Sequence, residues 1–248
     1  MSSKRMLALQ DDGTVMSLTL TVEGVGQMND FFKVMKDHMS FEPLVLPHAD
    51  RGCAFFTQKE NRKVYFMYLD PRPRPISYMD ESDNTLHQYE IILPPTYVAI
   101  FFRGGAIEGG YAVVAPKPIE SNEDKLGILP MPNISLPYGR ICEGGRATWS
   151  VKDNSTKVAA SYIEYFLRSN FTSHINQHFD SLPKELSIPA ESADAEGRRI
   201  SAYRRQRMIF DAWQKISKEG GRDAIESMEW KTSFTVSDMI AEIWKGKS

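Results

Sequence analysis

Residues 97–116 read YVAIFFRGGAIEGGYAVVAP, and the two apolar blocks in this stretch decide the fold. Each block is rich in β-branched and aromatic side chains, and glycines join them, which is the signature of a β-hairpin rather than a helix. The glycines between Arg103 and Gly110 lack the helix start and the lysine that a phosphate loop requires. They are read as turn residues.

Upstream, Leu86–Leu93 (LHQYEIIL) runs into the pair Pro94-Pro95 and reads as a further strand. Before it, Cys53–Thr57 (CAFFT), a polar QKENRK turn and Val64–Leu69 (VYFMYL) form a second hairpin. Asp70–Pro75 (DPRPRP) halts that hairpin, because Pro71, Pro73 and Pro75 are incompatible with a sheet interior. Near the start, residues 14–22 (TVMSLTLTV) alternate with period two, as a half-buried strand does. In Met28–Met39 the residues Met28, Phe31, Phe32, Met35 and Met39 recur at helical spacing and predict a short amphipathic helix. Strands in series with short turns imply an antiparallel meander.

Downstream the pattern turns helical. Asp153–Thr156 offers several N-caps, and Val158, Ala159, Tyr162, Ile163, Phe166, Leu167 and Phe171 follow on one face, predicting a helix to about Phe179. A polar linker (Leu182–Gly197), an Arg-rich helix from about Arg198 to Ser217, the pair Gly220-Gly221 and a short helix around Ser237–Trp244 complete the chain. The expected fold class is α+β: an antiparallel β-meander of about four strands with flanking helices. Residues 1–52 read as an N-terminal strand and helix addition, 53–180 as the core, and 198–248 as a helical C-terminal addition.

Composition narrows the function. The 248 residues are 42% hydrophobic and 11% aromatic, enough for a substantial core, and the net charge of −2 provides no global field toward nucleic acid or an anionic membrane. Apolar runs such as Tyr97–Phe102 fall well short of the ~20 residues that span a bilayer. The N-terminal MSSKRMLALQDDG has too short an apolar stretch for a signal sequence, and two cysteines give no disulfide framework. A cytoplasmic protein with free thiols is expected.

One of those thiols stands out. Cys142 lies in LPMPNISLPYGRICEGG (129–145), where Pro132 and Pro137 exclude regular helix and Gly139 permits a tight turn, so a loop near the surface is expected. A thiol of ordinary pKa, about 8.5, is only a few per cent thiolate at neutral pH, yet is nucleophilic enough for thioester exchange. Cys53, before Ala54-Phe55-Phe56, reads instead as a packed thiol at the start of a buried strand.

Pro132-Asn133-Ile134, a short turn and Gly139-Arg140-Ile141-Cys142 resemble the active-site segment of ubiquitin-conjugating enzymes, in which His-Pro-Asn-Ile precedes Gly-x-(Ile/Val)-Cys, with one extra residue in the turn here. The wider order is also similar: an aromatic hairpin ending in Pro71, Pro94-Pro95, a strand, a Gly-rich turn, Tyr111–Val114 with Lys117-Pro118, then the cysteine segment and Phe166–Thr172. Over roughly residues 53–175 the chain resembles the prokaryotic ubiquitin-conjugating-like family D, which includes protein B of the PRTRC system of plasmids and other mobile elements.

The resemblance implies a ubiquitin-conjugating fold and a transferase in which Cys142 carries a ubiquitin-like modifier as a thioester. It further implies that Asn133 supports the isopeptide-forming step and that the partners are the modifier and an activating-enzyme-like protein. No cofactor is implied, since ATP would be consumed by the activating protein. The chain departs from the eukaryotic pattern at Met131, where histidine stands, and at Glu143, whose carboxylate would raise the thiol pKa while Arg140 and Arg146 would lower it. Those departures keep open a catalytically inactive binding module of the same fold, and a mobile-element assembly protein.

Other candidates carry less. His174 and His178 stand four apart, followed by Asp180, but no cysteine or HExxH pattern accompanies them, and they read as a solvated helix end; no metal is expected. His38, His48 and His87 have no evident partner in the sequence. Arg198, Arg199, Arg204, Arg205 and Arg207 form the one basic cluster, opposite Ile200, Tyr203, Phe210, Trp213 and Ile216, and read as a solvated face over a packed stripe. A nucleic-acid or acidic partner would have to meet the chain there.

Overall fold

The computed structural model describes residues 3–9, 15–21, 53–59, 62–103, 106–142, 156–172, 179–188 and 201–245. In chain order the elements are β1 (Ser3–Leu9), β2 (Val15–Thr21), β3 (Cys53–Lys59), β4 (Arg62–Leu69), β5 (Pro73–Asp80), β6 (Thr85–Ile92), β7 (Thr96–Arg103), β8 (Ala106–Val114), β9 (Lys125–Ile128), β10 (Ile134–Ser135), β11 (Arg140–Ile141), α1 (Thr156–Arg168), β12 (Asn170–Thr172), α2 (Ala202–Glu226), β13 (Phe234–Thr235) and α3 (Val236–Lys245). Short 3-10 turns at Phe179–Ser181 and Lys184–Leu186 lie between β12 and α2. The fold is α+β. The helix expected over Met28–Met39 lies outside the described residues.

The main sheet grows from the segment that opened the sequence. β7 and β8 pair antiparallel from Thr96↔Val114 to Arg103↔Ala106, and β4 pairs with the other edge of β7 from Arg62↔Arg103 to Leu69↔Thr96. β8 starts earlier than the glycine pattern suggests, because Ala106–Gly110 already belong to it. The order β10-β11-β8-β7-β4-β3 forms the sheet, β9 shares the outer edge of β8, and β13 pairs with β9. Val64–Leu69, Tyr97–Phe102 and Tyr111–Ala115 are buried without interruption, so both faces of the sheet are covered.

Each face has a different cover. Gly110 faces α1, and a Cβ there would stand 2.8 Å from Cε1 of Tyr162, so the missing side chain admits the helix. Ala159, Tyr162, Ile163, Phe166 and Leu167 form the buried stripe of α1, as the spacing predicts. On the opposite face, where Tyr68 and Tyr97 pack at 5.2 Å and Phe101 and Tyr111 at 5.8 Å, α3 is anchored by Arg62, whose Nη1 donates to the Trp244 carbonyl at 3.0 Å. These are the same-face neighbours that cross-strand pairing places together.

The meander is interrupted. Between β4 and β7 the chain leaves the main sheet to build a second one, ordered β12-β5-β6. The prolines do end β4, but Pro73 and Pro75 then lie inside β5, and the register explains how. Pro73 faces Ile92 and Pro75 faces Glu90, while the N–H groups of Ile92 and Glu90 turn away from β5 toward α2. Both prolines therefore occupy non-hydrogen-bonded pairs, and β12 joins β5 only at Ser77–Met79, beyond them. No ladder bond is lost.

Helix α2 closes the open edge of β6 with side chains. Gln214 Oε1 accepts from Glu90 N–H at 2.8 Å, Ser217 Oγ accepts from Ile92 N–H at 3.0 Å, and Trp213 Nε1 donates to the Ile92 carbonyl at 2.9 Å. Phe210 sits against Tyr78 and Tyr89, with ring centroids 5.3 and 5.0 Å away. Ser201 caps the helix, its Oγ accepting from Arg204 N–H. The helix continues through Gly220-Gly221 to Glu226, kinking at Gly221, rather than stopping near Ser217.

Two further expectations are corrected. The helix predicted to run to about Phe179 ends at Arg168: Ser169 turns back, its Oγ donating to the Phe166 carbonyl at 2.7 Å, and Asn170–Thr172 becomes a strand parallel to β5. Phe171 keeps its place in the core, edge-on to Phe166, but from a strand. The stretch read as a polar linker contributes Leu182 and Leu186 to the core. Among the described residues no helix is long and apolar enough to cross a membrane.

Burial raises the Tyr68 phenol to about 12, with the neighbouring Asp70 charge adding to it, and raises those of Tyr89, Tyr97 and Tyr111. Groups whose folded pKa exceeds the unfolded value, about 10, stabilise fully below that pH and lose the contribution as pH rises through the folded pKa. Stability is therefore expected to fall between about pH 10 and 12, with these phenols ionising only as the chain unfolds. Ultraviolet absorbance of tyrosinate and circular dichroism, followed together, check this; full ionisation near pH 10 in a folded protein would contradict it.

Candidate functional site

The segment carrying Asn133 and Cys142 is clasped to the outer edge of β8 at one residue. Ala112 N–H donates to the Gly139 carbonyl at 2.8 Å, and the Ala112 carbonyl accepts from Leu129 N–H at 3.2 Å. Gly139 has φ 81° and lies so close to β8 that a Cβ would stand 2.5 Å from the Ala112 oxygen, which explains the glycine. Between these clasps β10 and β11 form a small hairpin, with Ile134 opposite Ile141 and Ser135 opposite Arg140, and Arg140 opposite Tyr111 of β8. Leu129, Met131, Ile134 and Ile141 are buried beneath it.

Cys142 follows the last residue of β11. Its N–H donates to the Asn133 carbonyl at 2.6 Å, which extends the hairpin by one rung, and the residue is exposed. The expectation of a loop thiol at the surface agrees with this. Tyr138, which could have covered a packed thiol, lies edge-on to Phe234 with centroids 5.3 Å apart. Glu143, Arg146 and Trp149 lie outside the described residues, as does the side chain of Cys53.

Asn133 has φ 66°, in the left-handed region that asparagine tolerates better than most residues. Its side chain reaches across to the second sheet: Nδ2 donates to the Asn170 carbonyl, and Oδ1 accepts from Thr172 N–H and Thr172 Oγ1, all at 3.2 Å. Asn133 thus joins Cys142 through its backbone and β12 through its amide. Met131 is buried and serves as a packing residue.

Sequence reading did not find Asn170 and Thr172 as partners of Asn133, because it placed them within a continuing helix. Nor did it group His87 with Asp80 and Asp83, whose ligand atoms all lie within 4.8 Å of one another. The signal was present in the hairpin period: with Glu81–Asn84 as the turn, Asp80 and His87 fall on one face. His174 and His178 lie outside the described residues, as do Arg198 and Arg199. Arg204, Arg205 and Arg207 lie on α2, where Arg207 faces Asp80 and Asp83 at 3.7 and 3.8 Å.

No protein-family model matches the chain, and no curated protein or solved structure matches it significantly.

If the Asn133 amide ties the cysteine hairpin to β12, Asn133→Gly, which keeps the left-handed backbone accessible and deletes only the amide, should cost about 1–2 kcal/mol. Urea unfolding measures the loss, and amide exchange at Thr172 should quicken. Unchanged stability with unchanged exchange at Thr172 would show that the tie has no force.

Proposed function

We propose that the chain is a ubiquitin-conjugating-like carrier that receives a ubiquitin-like C-terminus as a thioester on Cys142 and passes it to an amine or thiol acceptor. The observation that carries the reading is the presentation of Cys142: exposed, at the end of a strand, with its backbone held by Asn133. In the charging step the Cys142 thiolate attacks the thioester of a charged activating protein, and the activating protein's thiolate leaves. A proton lost from one sulfur is taken up by the other. The step needs no cofactor in this chain.

The resemblance to conjugating enzymes gives Asn133 the task of supporting isopeptide formation, where an amide donor aimed at a developing oxyanion is worth ~3 kcal/mol. Here the amide is engaged with Asn170 and Thr172. Asn133 is therefore read as a positioning residue that fixes the cysteine hairpin. The same engagement favours a second reading, a non-catalytic module of this fold that recognises a ubiquitin-like tail without a covalent step.

Incubation with a candidate ubiquitin-like protein, its activating protein and ATP, followed by mass spectrometry, separates the two. The carrier reading expects a reductant-sensitive adduct on the wild type that Cys142→Ser abolishes or converts to a reductant-stable ester. Absence of any adduct, with the activating protein shown to be charged, would leave the binding module as the reading.

A further inference from the structure

The β5–β6 hairpin gathers a second chemical group, separate from the cysteine segment. Asp80 ends β5, Asp83 lies in the turn, and His87 lies on β6. Asp80 pairs with Thr85 and Tyr78 with His87, so Asp80 and His87 are diagonal neighbours on one face of the ribbon. One ligand atom from each of Asp80, Asp83 and His87 lies within 4.8 Å of the other two.

Two features distinguish this group from an ordinary acidic turn. His87 is half-buried, but its Nε2 is shielded from solvent and has no hydrogen-bond partner among the described residues. Native structures rarely leave a buried ring nitrogen in that condition without a ligand or water to meet it. Asp80 is only 1% exposed, and its hydrogen bonds, from Ser82 N–H at 3.0 Å and Ser82 Oγ at 2.6 Å, both go to Oδ1. Oδ2 faces Nη1 of Arg207 at 3.7 Å, beyond hydrogen-bond length.

We infer that Asp80, Asp83 and His87 form a binding site for one divalent transition-metal ion of the manganese, iron(II) or zinc class. Two carboxylates and an imidazole match the ligand preferences of these ions, whereas calcium and magnesium favour oxygen ligands throughout. With one ligand atom from each residue already within 4.8 Å of the other two, a modest side-chain adjustment brings all three to ~2.1 Å from one ion. Asp83 is exposed and can supply that adjustment, and it opens the group to solvent as an entry path. Three protein ligands leave coordination positions for water or a further ligand.

Arg207 is the cation that competes with the metal. Its Nη1 stands 3.7 Å from Asp80 and 3.8 Å from Asp83, and its side chain is 39% exposed, free to swing outward when an ion enters. The His87 ring lies between those of Tyr78 and Tyr89, with centroids 6.4 and 6.3 Å away.

Isothermal titration calorimetry and thermal unfolding of the full chain with Mn²⁺, Zn²⁺ and Mg²⁺ test the site. Mn²⁺ or Zn²⁺ should bind one to one and raise the melting temperature, and Mg²⁺ at the same concentration should not. Asp83→Asn retains the oxygen that accepts from Thr85 N–H at 3.0 Å, so the turn persists, yet binding should weaken at least about tenfold. His87→Ala should weaken it at least as much. Arg207→Gln, which removes the competing charge, should tighten it several-fold. Failure of both Mn²⁺ and Zn²⁺ to bind, or binding that survives Asp83→Asn and His87→Ala unchanged, would overturn the inference.

Discussion

The rest of the structure depends on one constraint: β4, β7 and β8 are apolar on both faces, so neither face can be left to water. Val64–Leu69, Tyr97–Phe102 and Tyr111–Ala115 alternate their side chains above and below the sheet, and all of them are buried. At about 25 cal/mol per Å² of apolar surface removed from water, each large side chain left exposed would cost roughly 1.5–3 kcal/mol. Helix α1 must therefore lie on one side and the C-terminal segment with α3 on the other. The contact of α1 with Gly110 and the anchoring of Trp244 by Arg62 are the local forms of that requirement.

From these covers follows the placement of the cysteine hairpin. β8 has a free outer edge once β7 occupies the inner one, and the chain returns to fill it twice, with β9 at Val113–Val114 and β11 at Tyr111. Cys142 comes directly after the second return, one residue past β11, and is exposed there. Asn133 then links this edge of the main sheet to β12, and β12 is paired to β5, whose last residue is Asp80. The proposed thioester carrier and the inferred metal site thus lie along one connected path of backbone pairing and side-chain hydrogen bonds.

The elements that were legible in the sequence are those whose signal is local. The β7–β8 and β3–β4 hairpins, the buried stripe of α1 and the short terminal helix declare themselves through alternation, turn residues and helical spacing. Elements fixed by distant partners were not legible. Asn170–Thr172 has helical neighbours and becomes a strand only because Ser77–Met79 offers an edge and Asn133 offers an amide. Pro73 and Pro75 were read as breakers because sequence does not reveal register, and register alone makes them harmless. The exposure of Cys142 followed from its turn-rich surroundings, whereas the engagement of Asn133 with β12 joins residues 37 and 39 positions apart. His87 acquired its neighbours only when the turn at Glu81–Asn84 was located.

The most direct test of the account is native-state hydrogen exchange across the whole chain, read residue by residue. Burial of both faces predicts that the amides of Tyr65–Tyr68, Val98–Phe101 and Ala112–Val114 exchange slowest, with one common opening free energy equal to that of global unfolding. β1 and β2, which among the described residues pair only with each other, should open more easily. If the central strands instead exchanged through smaller openings than α2 or the β1–β2 hairpin, the doubly covered sheet would not be the element on which the structure rests.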